Sequence, residues 1–286
     1  MDNARVGTLL VLCSAVGFAT LGVLGIVAGN TGLSIPTILF LRFVLATVLV
    51  WAILGVRGEL QLLSGRNLHV GVALGAVGYA GMSGFYFLGL EFMTAGMVAI
   101  VLYTYPAFVF VLAATFLDEP VGRRNLVALV ATLGGVALIT GADPAAADPR
   151  GVGIVLVAAV IYASYITVSR TTLEDVSAPT LTAHVMPAAA VSFLVIGLAT
   201  DTLAMPEGAV AWGSVLGIAV LATAVPIFAF FAGLSRIGAG SAAILSTLEP
   251  VVTVVLGALF LAEPVSTVVV IGGTLVLAGV ILVAQQ

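Results

Sequence analysis

Residues 95–120, AGMVAIVLYTYPAFVFVLAATFLDEP, return as residues 239–264, AGSAAILSTLEPVVTVVLGALFLAEP. The offset is a constant 144, and 12 of the 26 aligned positions are identical, among them Pro106/Pro250, Phe116/Phe260, Glu119/Glu263 and Pro120/Pro264. The likeness continues upstream, from Tyr86-Phe87-Leu88-Gly89-Leu90 to Phe230-Phe231-Ala232-Gly233-Leu234. A repeat this long makes the chain two copies of one unit, residues 1–144 and 145–286.

What each copy holds follows from composition. The chain is 62% hydrophobic and 8% charged, far from the balance of a soluble domain. Apolar runs of about 18 or more residues read as membrane-spanning helices. Ten such runs are expected, over 6–28, 35–54, 70–90, 95–117, 125–141, 152–169, 181–200, 211–234, 239–261 and 265–283. The expected fold is therefore an all-α polytopic membrane protein with two five-helix repeats. The first run follows Arg5 but exceeds a signal-peptide core and belongs to the repeat, so it is read as structure.

Orientation comes from the nine basic residues, all of them arginine. With the amino terminus inside, Arg5, Arg57, Arg66, Arg123, Arg124, Arg170 and Arg236 are cytoplasmic, Arg150 is outside and Arg42 lies within a span. This bias predicts a cytoplasmic-membrane protein with both termini in the cytoplasm. Five spans per copy is an odd number, so the second copy enters the membrane upside down. Inverted halves place a solute site near the midplane and alternate its access by rocking. Inverted repeats also occur in channels, so a passive facilitator or channel-like pore is the alternative.

The closing motifs Leu117-Asp118-Glu119-Pro120 and Leu261-Ala262-Glu263-Pro264, with Arg42-Phe43 and Leu248-Glu249-Pro250-Val251, are similar to those of the EamA branch of the drug/metabolite transporter superfamily. The resemblance spans essentially the whole chain. It implies carriage of small metabolites, with export the favoured direction, through a cavity lined by spans one to four and six to nine. Spans five and ten would be peripheral. Four-helix multidrug relatives use a glutamate in their first span; this first span has no acid, which argues against that mode of cationic drug efflux.

Glu249 is the sharpest site candidate, about 15 Å into span nine and close to the centre of a ~30 Å core. An ionisable group there costs about 2.5–3.5 kcal/mol unless paired or hydrated. It is read either as a cavity carboxyl suited to proton coupling or as an anchor between helices. Ser246 and Thr253 fall on its face of a continuous helix. Arg42, about 10 Å deep in span two, has three uses open to it: pairing with Glu249, holding a substrate carboxylate, or snorkelling outward. Pro106 and Pro250 are matched helix-bend positions, with Tyr105 standing where the second copy has the glutamate. All six tyrosines, Tyr79, Tyr86, Tyr103, Tyr105, Tyr162 and Tyr165, lie in spans three, four and six and are cavity candidates. His184 and Phe228 join them. Trp51 and Trp212 read as interfacial anchors.

Other chemistries fit poorly. Gly81-Met82-Ser83-Gly84 with His184 has the outline of an intramembrane serine protease, but four residues in a chain with 33 glycines match by chance. There is no lysine for a phosphate loop, and two histidines with one cysteine build no structural zinc site. No cofactor is expected. The partners read here are a small-molecule substrate, resembling an amino acid in polarity, and the lipid bilayer. A coupling proton or ion and a second copy in a homodimer are further candidates, and nucleic acid is excluded. Small residues Ala131, Gly135, Gly272 and Gly273 suit close helix contact within the chain or across such a dimer.

Overall fold

The structure is a computed structural model that describes residues 3–93, 95–119, 122–141, 148–262 and 264–285. Among them there are helices and no strands: α1 (Asn3–Asn30), α2 (Ile35–Val56), α3 (Gly65–Gly89), α4 in two pieces (Ala95–Leu102 and Tyr105–Phe116), α5 (Arg123–Ile139), α6 (Pro149–Asp175), α7 (Ala178–Ala199), α8 (Gly208–Ile237), α9 in two pieces (Ala239–Ser246 and Leu248–Leu261) and α10 (Thr267–Ala284). Helix starts follow local chemistry. Ser34, Asp148, Ser177 and Ser266 each accept a hydrogen bond from a first-turn N–H of the helix they precede, and proline sits in the first turn of α2, α6 and α7.

Nine helices among the described residues are long and apolar enough to cross a bilayer. At the expected fifth span stands α5, whose 17 residues fall one short of that length. It starts two residues ahead of the expected run, at Arg123 and Arg124, and ends at Ile139. Of the closing motifs, Pro120 and Glu263 lie outside the described residues, while Pro264 follows α9 in the turn to α10.

Packing obeys the 144 offset. Helix α1 packs on α8 and α9, and its counterpart α6 packs on α3 and α4. Helix α2 packs on its own counterpart α7, and α5 on α10. Each half thus buries its first helix in the other half, and the core joins Phe43, Tyr105, Tyr165, Phe231 and Leu245 from both. Irregularities repeat as well. A π-helical turn interrupts α3 at Leu74–Tyr79 and α8 at Val220–Ala224, and α4 and α9 break at Tyr103-Thr104 and at Thr247. Large apolar side chains such as Val48, Val130, Leu198, Leu259 and Phe260 face outward, as a lipid-facing surface requires.

Helices α5 and α10 meet backbone to backbone. A Cβ at Gly135 would lie 2.5 Å from the Gly272 carbonyl oxygen, and one at Gly272 would lie 2.6 Å from that of Gly135. The small-residue stripe is therefore occupied within the chain. Because backbone, unlike a flexible side chain, cannot swing aside, Gly135→Leu is expected to destabilise by about 1–3 kcal/mol or more. Melting of the detergent-solubilised variant should show the loss; a melt superimposable on the parent would contradict the close crossing.

Candidate functional site

The breaks in α4 and α9 create the polar centre. Where a spanning helix breaks, freed carbonyls need partners from the protein, because lipid offers none. Thr104 Oγ1 donates to the Val101 carbonyl at 2.7 Å, and Thr247 Oγ1 donates to that of Ile244 at 2.6 Å. Glu249 starts the second piece of α9, two residues past the break. It is half-buried, whereas the neighbouring Ser246, Thr247 and Pro250 are buried. Tyr103 and the Arg42 guanidinium lie near enough to feel its charge. Tyr86, Tyr105 and Tyr162 lie near enough to feel the Glu249 charge.

From that carboxyl a run of rings crosses the interior. Tyr103 adjoins Tyr105 with ring centroids 6.1 Å apart; Tyr105 meets Tyr162 at 4.6 Å, Tyr162 stacks on Tyr165 at 5.9 Å, and Tyr165 meets Tyr79 edge-on at 5.9 Å. Tyr79 adjoins Phe43 at 5.1 Å, and Phe43 stacks on Phe193 at 5.8 Å. Phe231 joins from the side at 6.0 Å to Tyr165. Neither Phe43 nor Phe193 is among the sequence candidates for the site. Phe43 follows Arg42 directly, which is a usable signal; Phe193 carries none.

Arg42 occupies the far end of this run. It is 1% exposed, the one buried arginine of the nine. Its Nη2 donates to Tyr79 Oη at 2.8 Å, and its guanidinium carbon lies 4.6 Å from the Phe43 ring centroid and 5.6 Å from that of Tyr79. Its Nε has no hydrogen-bond partner. Snorkelling is thus corrected: packing by Phe43 and Tyr79 holds the side chain inward. No direct ion pair joins it to Glu249 among the described residues, whose ion pairs are Arg170–Glu119 and Arg170–Glu174, but the two charges lie near enough to feel each other. Two ring faces and one hydroxyl surround the guanidinium.

Several candidates sit elsewhere or act differently. Ser246 donates to the Ala242 carbonyl and Thr253 to that of Glu249, and the break at Thr247 interrupts the continuous face expected for the three. Phe228 is 41% exposed, on the outer side of α8 from buried Phe230 and Phe231. His184 is committed to backbone: its Nε2 accepts from Leu63 N–H at 3.1 Å, and its Nδ1 pairs with the Thr180 carbonyl at 2.8 Å. Both nitrogens are used, so Ser83 has no base and the protease outline fails. Trp51 donates its Nε1 hydrogen to the Ala183 carbonyl at 2.7 Å, adding an inter-helix tie to its place near the helix end.

A helical membrane protein with a charged, tyrosine-walled centre at paired helix breaks belongs among the solute carriers. The EamA-like transporter family matches residues 5–141 and again residues 149–285. The chain belongs to that family, whose members are membrane transporters and not enzymes. A protein of Archaeoglobus fulgidus described as an uncharacterized transporter is 28% identical over 247 residues, covering 86% of this chain and 87% of its own. The Bacillus subtilis uncharacterized transporter YcbK is 28% identical over 286 residues, covering 94% and 90%. A crystal structure of a 19% identical protein shares the fold at a TM-score of 0.82, covering 96% of this chain and 95% of that one.

Tyr79 supplies the hydrogen bond that holds Arg42 in place. Tyr79→Phe should therefore lower stability by about 1.5–3 kcal/mol, the range for a hydrogen bond to a charged group. Denaturation in detergent measures it; an unchanged midpoint would mean that Arg42 has another anchor.

Proposed function

We propose that the protein is a secondary transporter that moves a small zwitterionic metabolite of amino-acid-like polarity across the cytoplasmic membrane, in the export direction. Two inverted five-helix halves, residues 1–144 and 145–286, rock about a central site and expose it to each side in turn. Both termini lie in the cytoplasm on this reading, and α5 completes ten spans by pairing with α10.

The observation that carries it is a pair of deep, opposite charges set among tyrosines, near enough to feel each other but with no direct contact among the described residues. Arg42 holds an unpaired guanidinium with a free Nε donor, and Glu249 stands half-buried beyond the rings of Tyr79, Tyr165, Tyr162 and Tyr105. Opposite charges that are close without direct contact suit a solute carrying both signs. A carboxylate would take the free donors of Arg42, an ammonium would face Glu249, and the phenols would cover the carbon skeleton. Glu249 also supplies a titratable carboxyl at the site, suited to coupling transport to a proton.

Uptake into proteoliposomes holding purified protein, screened with an amino-acid panel, tests the reading. Arg42→Gln should raise KM tenfold to a hundredfold for a carboxylate-bearing substrate, reflecting about 1.5–3 kcal/mol of lost binding. Glu249→Gln should leave some transport but abolish its dependence on pH; retention of the parental pH profile would remove the coupling role. Topology has its own check. Cysteines at Glu119 and Glu263 should be labelled from opposite faces of the membrane, and labelling from one face would end the inverted arrangement.

A further inference from the structure

Glu119 ends the first half's part of the repeat, yet its carboxylate is spent on the second half. Its oxygens accept from the N–H of Ala239 at 3.0 and 3.1 Å and from that of Gly240 at 3.3 Å, capping the first turn of α9. Arg170 of α6 stands 3.7 Å away from the same carboxylate. The turn that delivers Glu119 is costly to form. Asp118 adopts a left-handed φ of +52°, and Glu119 N–H then donates back to the Ala113 carbonyl at 3.3 Å. The receiving turn is shaped to the carboxylate: Gly238 has φ +80°, and a Cβ there would lie 2.7 Å from Glu119 Oε1.

We propose that Glu119 is a releasable latch between the halves, which holds shut the face where α4 ends and α9 begins and lets go when that face opens. Three features make it releasable. The Glu119 and Arg170 side chains are about a quarter exposed, so water can replace either as the cap comes away. The capped piece of α9 is eight residues long and ends at the Thr247 break, so it can swing as a unit about that break. Behind the latch the two broken helices touch directly, with the Phe110 ring against Gly240 and Tyr105 Oη donating to the Ala243 carbonyl at 3.4 Å. Release of the cap therefore frees the same two helices that carry Tyr105 and Glu249. A helix start joined covalently to its own cap would stay capped in any rigid-body motion; here capping residue and helix come from different halves. The left-handed turn recurs at Ala262, φ +55°, the residue 144 positions on. The proposal is confined to Glu119, because residue 263 is outside the described residues.

The latch presupposes the rocking-halves reading, but its test needs no substrate, so the two fail separately. With exposed Cys13 replaced by serine, Ala242→Cys places a reporter on the fully buried side of the capped piece. Membrane-impermeant maleimide is applied to right-side-out and inside-out vesicles. Glu119→Ala should raise labelling at least threefold from the face that bears Arg170, and Glu119→Gln, which keeps one acceptor oxygen, should raise it less. Gly238→Ala, which disturbs the cap from the other side, should match Glu119→Ala and add nothing to it. Unchanged labelling in folded protein would overturn the latch. So would labelling raised equally from both faces, or full additivity of the two substitutions.

Discussion

Lipid cannot hydrogen-bond to a peptide group, and that constraint decides where this protein is able to be irregular. A spanning helix leaves carbonyls free wherever it breaks, at a cost of several kcal/mol each unless the protein supplies donors. The breaks in α4 and α9 are met by the hydroxyls of Thr104 and Thr247, each reaching back to the helix piece it leaves. The π turn in α8 is handled in the same way, with Thr223 donating to the Ile218 carbonyl five residues back, while at the π turn of α3 Ser192 of α7 donates to the Ala76 carbonyl at 3.4 Å. Irregular backbone is therefore tolerated where it faces other helices, and these are the helices that carry Tyr79, Tyr105 and Glu249. The polar centre sits where the fold can satisfy broken backbone.

The same constraint governs the buried charge. Arg42 has 1% exposure and, among the described residues, no carboxylate in direct ion-pair contact, so its immediate surroundings have to be polar in some other sense. Ring faces at 4.6 and 5.6 Å and one phenol do this. Tyrosine is well suited because a single side chain offers an apolar body, a negative ring face and a hydroxyl. A run of phenylalanines would pack equally well but would leave the guanidinium without its hydrogen bond.

Much of this was legible in the sequence, and the limits have physical causes. The 144 offset is a property of side chains alone, so it shows before any coordinates, and the depths of Arg42 and Glu249 follow from helical rise. Proline at 106 and 250 marks where α4 and α9 lose their regular path, but the break at Thr247 comes three residues ahead of Pro250, because the missing N–H and the ring disturb the preceding turn. That offset is why Ser246 and Glu249 do not continue one face. Contacts between distant segments carry no local signal. Phe193 enters the aromatic run from α7, His184 locks to Leu63 across 121 residues, and Glu119 caps a helix 120 residues away. The aromatic count was visible; which tyrosines touch which was not.

The fold is nearly two-fold and its chemistry is not. By the offset, Arg42 corresponds to Met186, which is fully buried, and Glu249 corresponds to Tyr105. Arg42 of the first half and Glu249 of the second therefore carry opposite charges at non-equivalent positions. Symmetric scaffolding makes two end states of similar energy easy to build, since each half packs on the other through matched surfaces. Asymmetric charge gives a bound solute one preferred direction. Arg42 belongs to the first half and Glu249 to the second, so the proposed rocking of the halves would change the distance between the two charges. On the proposed reading, a solute that bridges them would link its own binding to that motion, which one charge alone would not accomplish.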